Sequence, residues 1–394
     1  MKIGLLEPSI LMSKRFGNRI FAPKELFICL ADGLVKRGHE VYAYASSELN
    51  TLAQVIGGNK TLENSEFPSA RDVRKVEEVS SSLTVIRNHF EYEIELISKA
   101  FFHAKQNNLQ ILHCQSHMFT HYLVKFVKFP VIFTLHDPVF PNNTLEYLVL
   151  NTLSNHNYIS ISESQKRNYK KLMNINCVAT IHHGIKAEDF PFSETSENYL
   201  SMIGRYIPEK GFSDGIALAL RLKTPLRLAS SENYKSSDYY LKEIKPYIDF
   251  KTVTETNFLS PPEKNTFLRK SKILLFPIRW EEPFGLVMIE AMACGTPMVA
   301  FAQGSVPEVI KDGKTGFIVN ISDTDIRGDW IVKKTGLEGL CEAVEQIYSM
   351  PEDRYREMRR ACREHVEKNF TVERMVDQYE KVYQEILNKD RCNQ

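Results

Sequence analysis

Short β-branched and aromatic runs alternate along this chain with longer stretches of helical periodicity, and the alternation restarts once. Such alternation is the signature of βαβ units, so the chain is expected to build α/β layers on parallel sheets. The first series comprises 2–7 (KIGLLE), a helix near Lys24 to Arg37 stopped by Gly38, then 40–45, 83–88 (LTVIRN), 111–115, 131–137, 158–162 and 177–184. A polar stretch at 186–198 follows, and the second series runs through 199–205, 225–230, 272–278, 297–301 and 316–320. The predicted domains are therefore 1–190 and 191–370. A final helix, 371–394, carries Met375, Tyr379, Val382, Tyr383 and Ile386 at helical spacing and is expected to return to the first domain.

Length agrees with that division, because 394 residues exceed what one ordinary core holds. With 50 Lys+Arg against 49 Asp+Glu the formal net charge is +1, which speaks against a nucleic-acid binder with a basic surface. Any phosphate site must be local. Seven cysteines with no C-x-x-C pair read as reduced thiols, and the N-terminus reads as a first strand and not as a signal peptide. A cytoplasmic protein is the expectation.

The most informative stretch is EPFGLVMIEAMACGTP, Glu282 to Pro297, just after the apolar run 272–278. Pro283 suits a first helical turn, Gly285 lets a ligand approach the backbone, and Gly295 to Pro297 stops the helix. A strand that feeds a helix N-terminus through a Gly turn offers unpaired N–H groups and the positive end of the helix dipole to an anion. A diphosphate fits such a place. Glu282 and Glu290 flank it, and each can accept bonds from sugar hydroxyls. The alternative makes Glu282 a dipole partner and Glu290 a solvated charge, but an acid within the apolar MIEAMA needs a partner.

Two further groups belong at strand ends. In GRYIPEKG (204–211), Arg205 and Lys210 sit where strand meets helix and can neutralise a departing diphosphate; the alternative is an exposed loop with incidental charges. In TLHD (134–137), His136 ends a strand of the first domain, at the edge where open α/β sheets bind ligands. The histidines His113, His117, His121, His182 and His183 form no zinc spacing, although His113 and His117 would share a face on a helix. Asp323 to Asp325 (DTD) reads as a loop or helix cap, and 327–329 (RGD) as incidental. Lys166, Arg167, Lys170 and Lys171 read as solvated helix surface, with contact to anionic lipid at a membrane periphery, or to a charged acceptor, as the other readings.

Taken together, GRYIPEKG, EEPFGLVMIEAMACGTPMVAF and GSVPEVIKDGKTGFIV closely resemble glycosyltransferase family 4, whose hallmark is the E-x7-E spacing seen from Glu282 to Glu290. The resemblance implies the GT-B fold, with two Rossmann-like domains facing each other across a cleft. It further implies transfer of a hexosyl unit from a UDP- or GDP-sugar to a hydroxyl acceptor, with retention and without a metal or other cofactor. Under it Glu282 contacts the donor sugar, Glu290 the ribose, and Arg205 with Lys210 the leaving phosphate. His136 contacts the sugar near its reacting carbon, and Phe284, Gly285 and Leu286 contribute backbone contacts. Ser305, Val306, Pro307 and Glu308 match the turn that supports this pocket. A front-face route and a covalent carboxylate intermediate both remain open. Rival functions are a sugar phosphorylase or epimerase, and a non-catalytic nucleotide-sugar-binding protein. Two positions depart from the family pattern: FGNRIFAPKEL (16–26) has only Gly17 where many members have a Gly pair, and Ser260 stands where Gly is usual.

Overall fold

The computed structural model describes residues 1–14, 21–64, 76–115, 118–257 and 259–392, with side chains at 22, 76–88, 391 and 392 outside the description. It divides into two compact units. One comprises Met1–Ile161, Asn168–Ile181 and Met375–Gln394, the other Ser162–Arg167 and His182–Arg374.

In the first unit β1 (Lys2–Leu6), β2 (Glu40–Ala45), β3 (Gln54–Gly57), β4 (Ile111–Cys114), β5 (Val131–Thr134), β6 (Asn157–Ser160) and β7 (Cys177–Thr180) form one parallel sheet. Their order is β3-β2-β1-β4-β5-β6-β7, so the chain reverses its direction of winding between β1 and β4. The helices are α1 (Ala22–Lys36), α2 (Lys60–Glu63), α3 (Val76–Gln106), α4 (Met118–Leu123), α5 (Leu145–Thr152) and α6 (Glu163–Met173), whose first turns belong to the second unit. Strand alternation divides the core: Leu112, Cys114 and Phe133 pack with Tyr92, Leu96 and Ala100 of α3, while His113 and Thr134 point to the opposite face.

The run 83–88, expected as a strand, lies inside α3. Its β-branched residues are a local preference only. The helix is fixed farther along by Tyr92, Leu96, Ala100 and Ala104, buried at intervals of four.

The last helix, α13 (Val372–Cys392), packs from Met375 onward on the first unit. A Cβ at Gly33 of α1 would stand 2.6 Å from Val376 Cγ2, so a small residue there lets the two helices touch. Arg37 pairs with Asp377 (2.5 Å) and Glu380 (3.0 Å). Tyr383 OH bonds His113 Nδ1 at 2.7 Å, and Thr134 Oγ1 joins His113 Nε2 (2.7 Å) to Tyr379 OH (3.1 Å). Burial, helped by the nearby His136, draws the His113 pKa down to about 3, so this polar cluster is neutral as well as satisfied.

The second unit repeats the plan with β8 (Leu200–Ile203), β9 (Leu226–Ala229), β10 (Val253–Thr256), β11 (Ile273–Phe276), β12 (Met298–Phe301) and β13 (Gly316–Val319), in the order β10-β9-β8-β11-β12-β13. Here the reversal falls between β8 and β11. Its helices are α7 (Phe212–Leu222), α8 (Pro261–Lys270), α9 (Leu286–Ala293), α10 (Val306–Val309), α11 (Gly336–Tyr348) and α12 (Glu352–Asn369). The central strands β11 and β12 are apolar on both sides because helices cover both faces. The fully buried Arg359 of α12 donates to the carbonyls of Ser193 (2.8 Å), Arg269 (2.8 Å), Ser271 (3.1 Å) and Cys294 (3.4 Å) and to Tyr355 OH (3.0 Å). No disulfide links the described cysteines, and no helix among the described residues is long and apolar enough to cross a membrane.

Candidate functional site

Open α/β sheets bind ligands beyond the carboxyl ends of their strands, where the winding reverses. In the second unit that place lies between the exits of β8 and β11. The β8 exit carries Arg205 and then a single 3-10 turn, Pro208–Lys210, which ends at Gly211 with φ 67°. A Cβ on Gly211 would fall 1.9 Å from Pro277 O, so glycine lets this turn lie directly on the β11 exit. Arg279 N also donates to Glu209 O at 2.8 Å.

The close approach carries Lys210 to Glu282. Its ammonium stands 2.5 Å from Glu282 Oε2, which also accepts from Trp280 Nε1 at 2.7 Å. The same ammonium lies 4.8 Å from the Trp280 ring centroid and 5.8 Å from that of Phe276. Glu282 is buried, and its Oε1 receives no bond from the described residues. One oxygen is thus fixed by a cation and an indole while the other is left to accept. Arg205 is half-buried and makes no ion pair among the described residues.

Pro283, expected in the first helical turn, precedes the helix. α9 begins at Leu286, with Gly285 as its N-cap at φ 74°, a left-handed conformation that glycine adopts without strain. The first N–H groups of α9 therefore follow Gly285 directly. Phe284 is buried against the rings of His182 (5.7 Å), His183 (5.0 Å) and Phe370 (6.0 Å), and its carbonyl accepts from Ser305 Oγ at 2.8 Å. Glu290, a turn into α9, accepts from Lys264 Nζ of α8 at 2.7 Å, so the acid in an apolar helix does have a partner.

The turn at 304–308 buttresses this segment. Ser305 N donates to Glu282 O (3.0 Å), and Gly304 N to Glu281 Oε2 (3.1 Å). Val306 is buried in that turn. Glu308 accepts from Glu163 N (2.8 Å), Ser164 N (2.6 Å) and His182 Nε2 (3.0 Å). Burial opposes its ionisation, but these bonds prevail and hold its carboxyl below the usual range.

The remaining expected residues are placed otherwise. His136 belongs to the first unit, just past β5, with Nε2 bonded to Gln115 Oε1, and Gln115 N donates to Leu6 O at 2.9 Å. Desolvation pulls its pKa down to about 4, so the imidazole is neutral near pH 7. Glu7, directly after β1, is buried in the same unit. Asp323 accepts from Thr335 (2.7 Å) and Asp325 pairs with Arg327 (2.9 Å), so both are engaged in loop contacts. His117 lies outside the described residues, as do 16–20 of the departing loop. No set of three His, Cys, Asp or Glu among the described residues is arranged to hold a metal. Trp280, Lys264 and Gly304 were not singled out by sequence reasoning; Trp280, two positions before Glu282, and the glycine at 304 were the available signals.

Two family models match the chain: Glycosyltransferase Family 4 over residues 27–189 and Glycosyl transferases group 1 over 185–326. Among curated proteins, N-acetyl-alpha-D-glucosaminyl L-malate synthase of Bacillus anthracis is 32% identical over 134 residues, 34% of this chain and 32% of that one. Glycogen synthase of Mycobacterium tuberculosis is 29% identical over 160 residues, 38% of this chain and 37% of the other. The chain thus matches about a third of the length of these two relatives. Solved structures match throughout. Sucrose-phosphate synthase from Thermosynechococcus elongatus gives a TM-score of 0.73 at 16% identity, covering 98% of this chain and 99% of that one. Anabaena Alr3699/HepE in complex with UDP and glucose gives 0.69 at 16% identity, covering 98% and 100%.

Proposed function

Because this chain belongs to glycosyltransferase family 4 and has the GT-B type of fold, we propose that it moves a hexosyl unit from a UDP- or GDP-sugar to a hydroxyl acceptor with retention of anomeric configuration. The observation that carries the reading is the Lys210–Glu282–Trp280 assembly at the winding reversal of the second unit, with Arg205 on the same loop as Lys210 and the N-terminus of α9 three residues beyond Glu282.

In this proposal the bond between the anomeric carbon and the diphosphate breaks while the acceptor oxygen bonds that carbon on the same face. The acceptor proton passes to the departing diphosphate oxygen. Arg205, Lys210 and the α9 N–H groups neutralise the charge that develops there. Glu282 accepts a hydroxyl of the sugar through Oε1, and Glu290 accepts the ribose hydroxyls. His136, neutral, hydrogen-bonds the sugar near its reacting carbon. Neutralisation is assigned to side chains and helix, and no metal forms part of the scheme. Reduced cysteines suit a cytoplasmic setting.

UDP is the nucleotide to try first, because HepE, which shares the fold, is described with UDP and with UDP-glucose. Calorimetric titration with UDP and then GDP tests the reading on the natural chain, Lys210→Ala and Glu290→Ala. One nucleotide should bind, and each substitution should weaken it by about tenfold, or ~1.4 kcal/mol. A folded natural chain that binds neither nucleotide would sink the assignment.

A further inference from the structure

The amino ends of β5, β6 and β7 lie side by side on one edge of the first unit's sheet, opposite the edge that carries His136. Three segments reach that edge: the 3-10 turn Val124–Phe126 ahead of β5, the turn from α5 into β6, and the end of α6 ahead of β7. Direct bonds tie these segments together, in part through the adjoining helices α4 and α5. His121 Nδ1 lies 3.1 Å from His156 Nδ1, Asn176 N donates to Ser154 O at 2.8 Å, and Tyr147 OH donates to Leu172 O at 3.1 Å.

Phe126 of the first segment, Leu148 midway along α5 and Leu172 at the end of α6 are 72, 57 and 51% exposed. Lys125, Lys128, Lys170 and Lys171 are exposed beside them. The acids between residues 118 and 176 are Asp137, Glu146 and Glu163, of which Asp137 and Glu163 follow the carboxyl ends of β5 and β6. Glu146 of α5 is therefore the only one placed to oppose the four lysines. The molecule's net charge of +1 supplies no general attraction to an anionic surface, so any such attraction must arise locally.

We propose that this edge is an anionic-membrane contact. Phe126 and the two leucines enter the boundary between headgroups and acyl chains, and the lysines lie against lipid phosphates. Side-chain chemistry separates lipid from a protein partner. Protein interfaces are depleted of lysine, whereas aliphatic and aromatic side chains rimmed by lysines are the composition of surfaces that rest on bilayers. The surface contains none of the residues assigned to transfer, so the inference stands apart from the proposed reaction.

Vesicle co-sedimentation tests it, with phosphatidylcholine alone and with phosphatidylcholine mixed with phosphatidylglycerol. The natural chain should pellet with the mixed vesicles, less so as salt rises, and remain in solution with phosphatidylcholine alone. Lys125→Glu with Lys170→Glu should weaken binding by about tenfold or more, since each lysine adds to the attraction. Phe126→Ser with Leu148→Ser should weaken it comparably, with the melting temperature of the natural chain retained by at least one of the two pairs. The proposal falls if the natural chain ignores mixed vesicles, or if the apolar pair binds them as the natural chain does. It also falls if sedimentation velocity shows a dimer that Phe126→Ser disperses, since a second copy would then cover this face.

Discussion

Glu282 receives two donors on one carboxylate oxygen, from Lys210 at 2.5 Å and Trp280 at 2.7 Å, which fixes the carboxylate plane and leaves Oε1 for an incoming hydroxyl. A second carboxyl, Glu7 at the end of β1, is governed by solvation instead. Burial pushes its pKa up to about 8, the nearby Glu93 and Asp137 push the same way, and the bond from Ser9 N opposes them. Its folded value lies above the ordinary 4.5, so the folded state holds a proton that the unfolded chain releases. The resulting stabilisation is complete below the unfolded value and is lost as pH rises toward about 8. In urea unfolding, the stability of the natural chain relative to Glu7→Gln should therefore fall between about pH 5 and about pH 8. A difference flat across that range would mean that Glu7 ionises as readily folded as unfolded. Residue identity was the most legible scale of the site: Arg205, Lys210, Glu282 and Glu290 were each named from the chain. Their partners Trp280 and Lys264 were not, because partnership is set by how α8, α9 and the strand exits meet.

Elements explain what holds Glu282 in place. Gly304, with φ 56°, lies against its backbone, and a Cβ there would fall 2.3 Å from Glu282 O and 2.4 Å from Glu282 N. Backbone cannot yield as a flexible side chain can. Gly304→Ala should displace Glu282 and reduce transfer by roughly a hundredfold, the scale seen when a group that positions the substrate is misplaced by about 1 Å. The kinetic constants measure this, and an unchanged kcat would show that the segment at 282 does not need this support. The glycine signal was present in the sequence, but its use depends on a contact across two loops. Two of the four edge strands were the least legible elements. β3 (QVIG) and β10 (VTET) are short and only partly buried, so neither shows the continuous apolar run that revealed the central strands. The run at 83–88 failed in the opposite sense, a β-branched stretch absorbed by the longer α3.

At the scale of the whole molecule, the alternation of runs was enough for the fold class, because parallel strands with helical crossovers leave few arrangements. The return of the last helix was legible too, from the spacing of Tyr379, Val382, Tyr383 and Ile386. Arg359 was not legible, since nothing in EMRRACREH distinguishes a buried arginine from its exposed neighbour Arg360. It gathers backbone carbonyls from three separate segments of the second unit, at 193, 269–271 and 294. Arg359→Met would leave those carbonyls buried without donors, at a cost of roughly 3–5 kcal/mol. A lowered urea midpoint measures it, and a loss below about 1 kcal/mol would show that water replaces the guanidinium.

The chain has two tryptophans. One, Trp330, donates to Asn320 Oδ1 at 3.2 Å, while Trp280 holds Glu282 and lies under the Lys210 ammonium. The loop proposed to face the diphosphate therefore carries its own fluorophore, with a quenching cation over its face. In a Trp330→Phe background, a nucleotide diphosphate that draws Lys210 away from the indole should change the emission, so occupancy can be followed by light alone. Emission indifferent to a saturating nucleotide would place the diphosphate elsewhere.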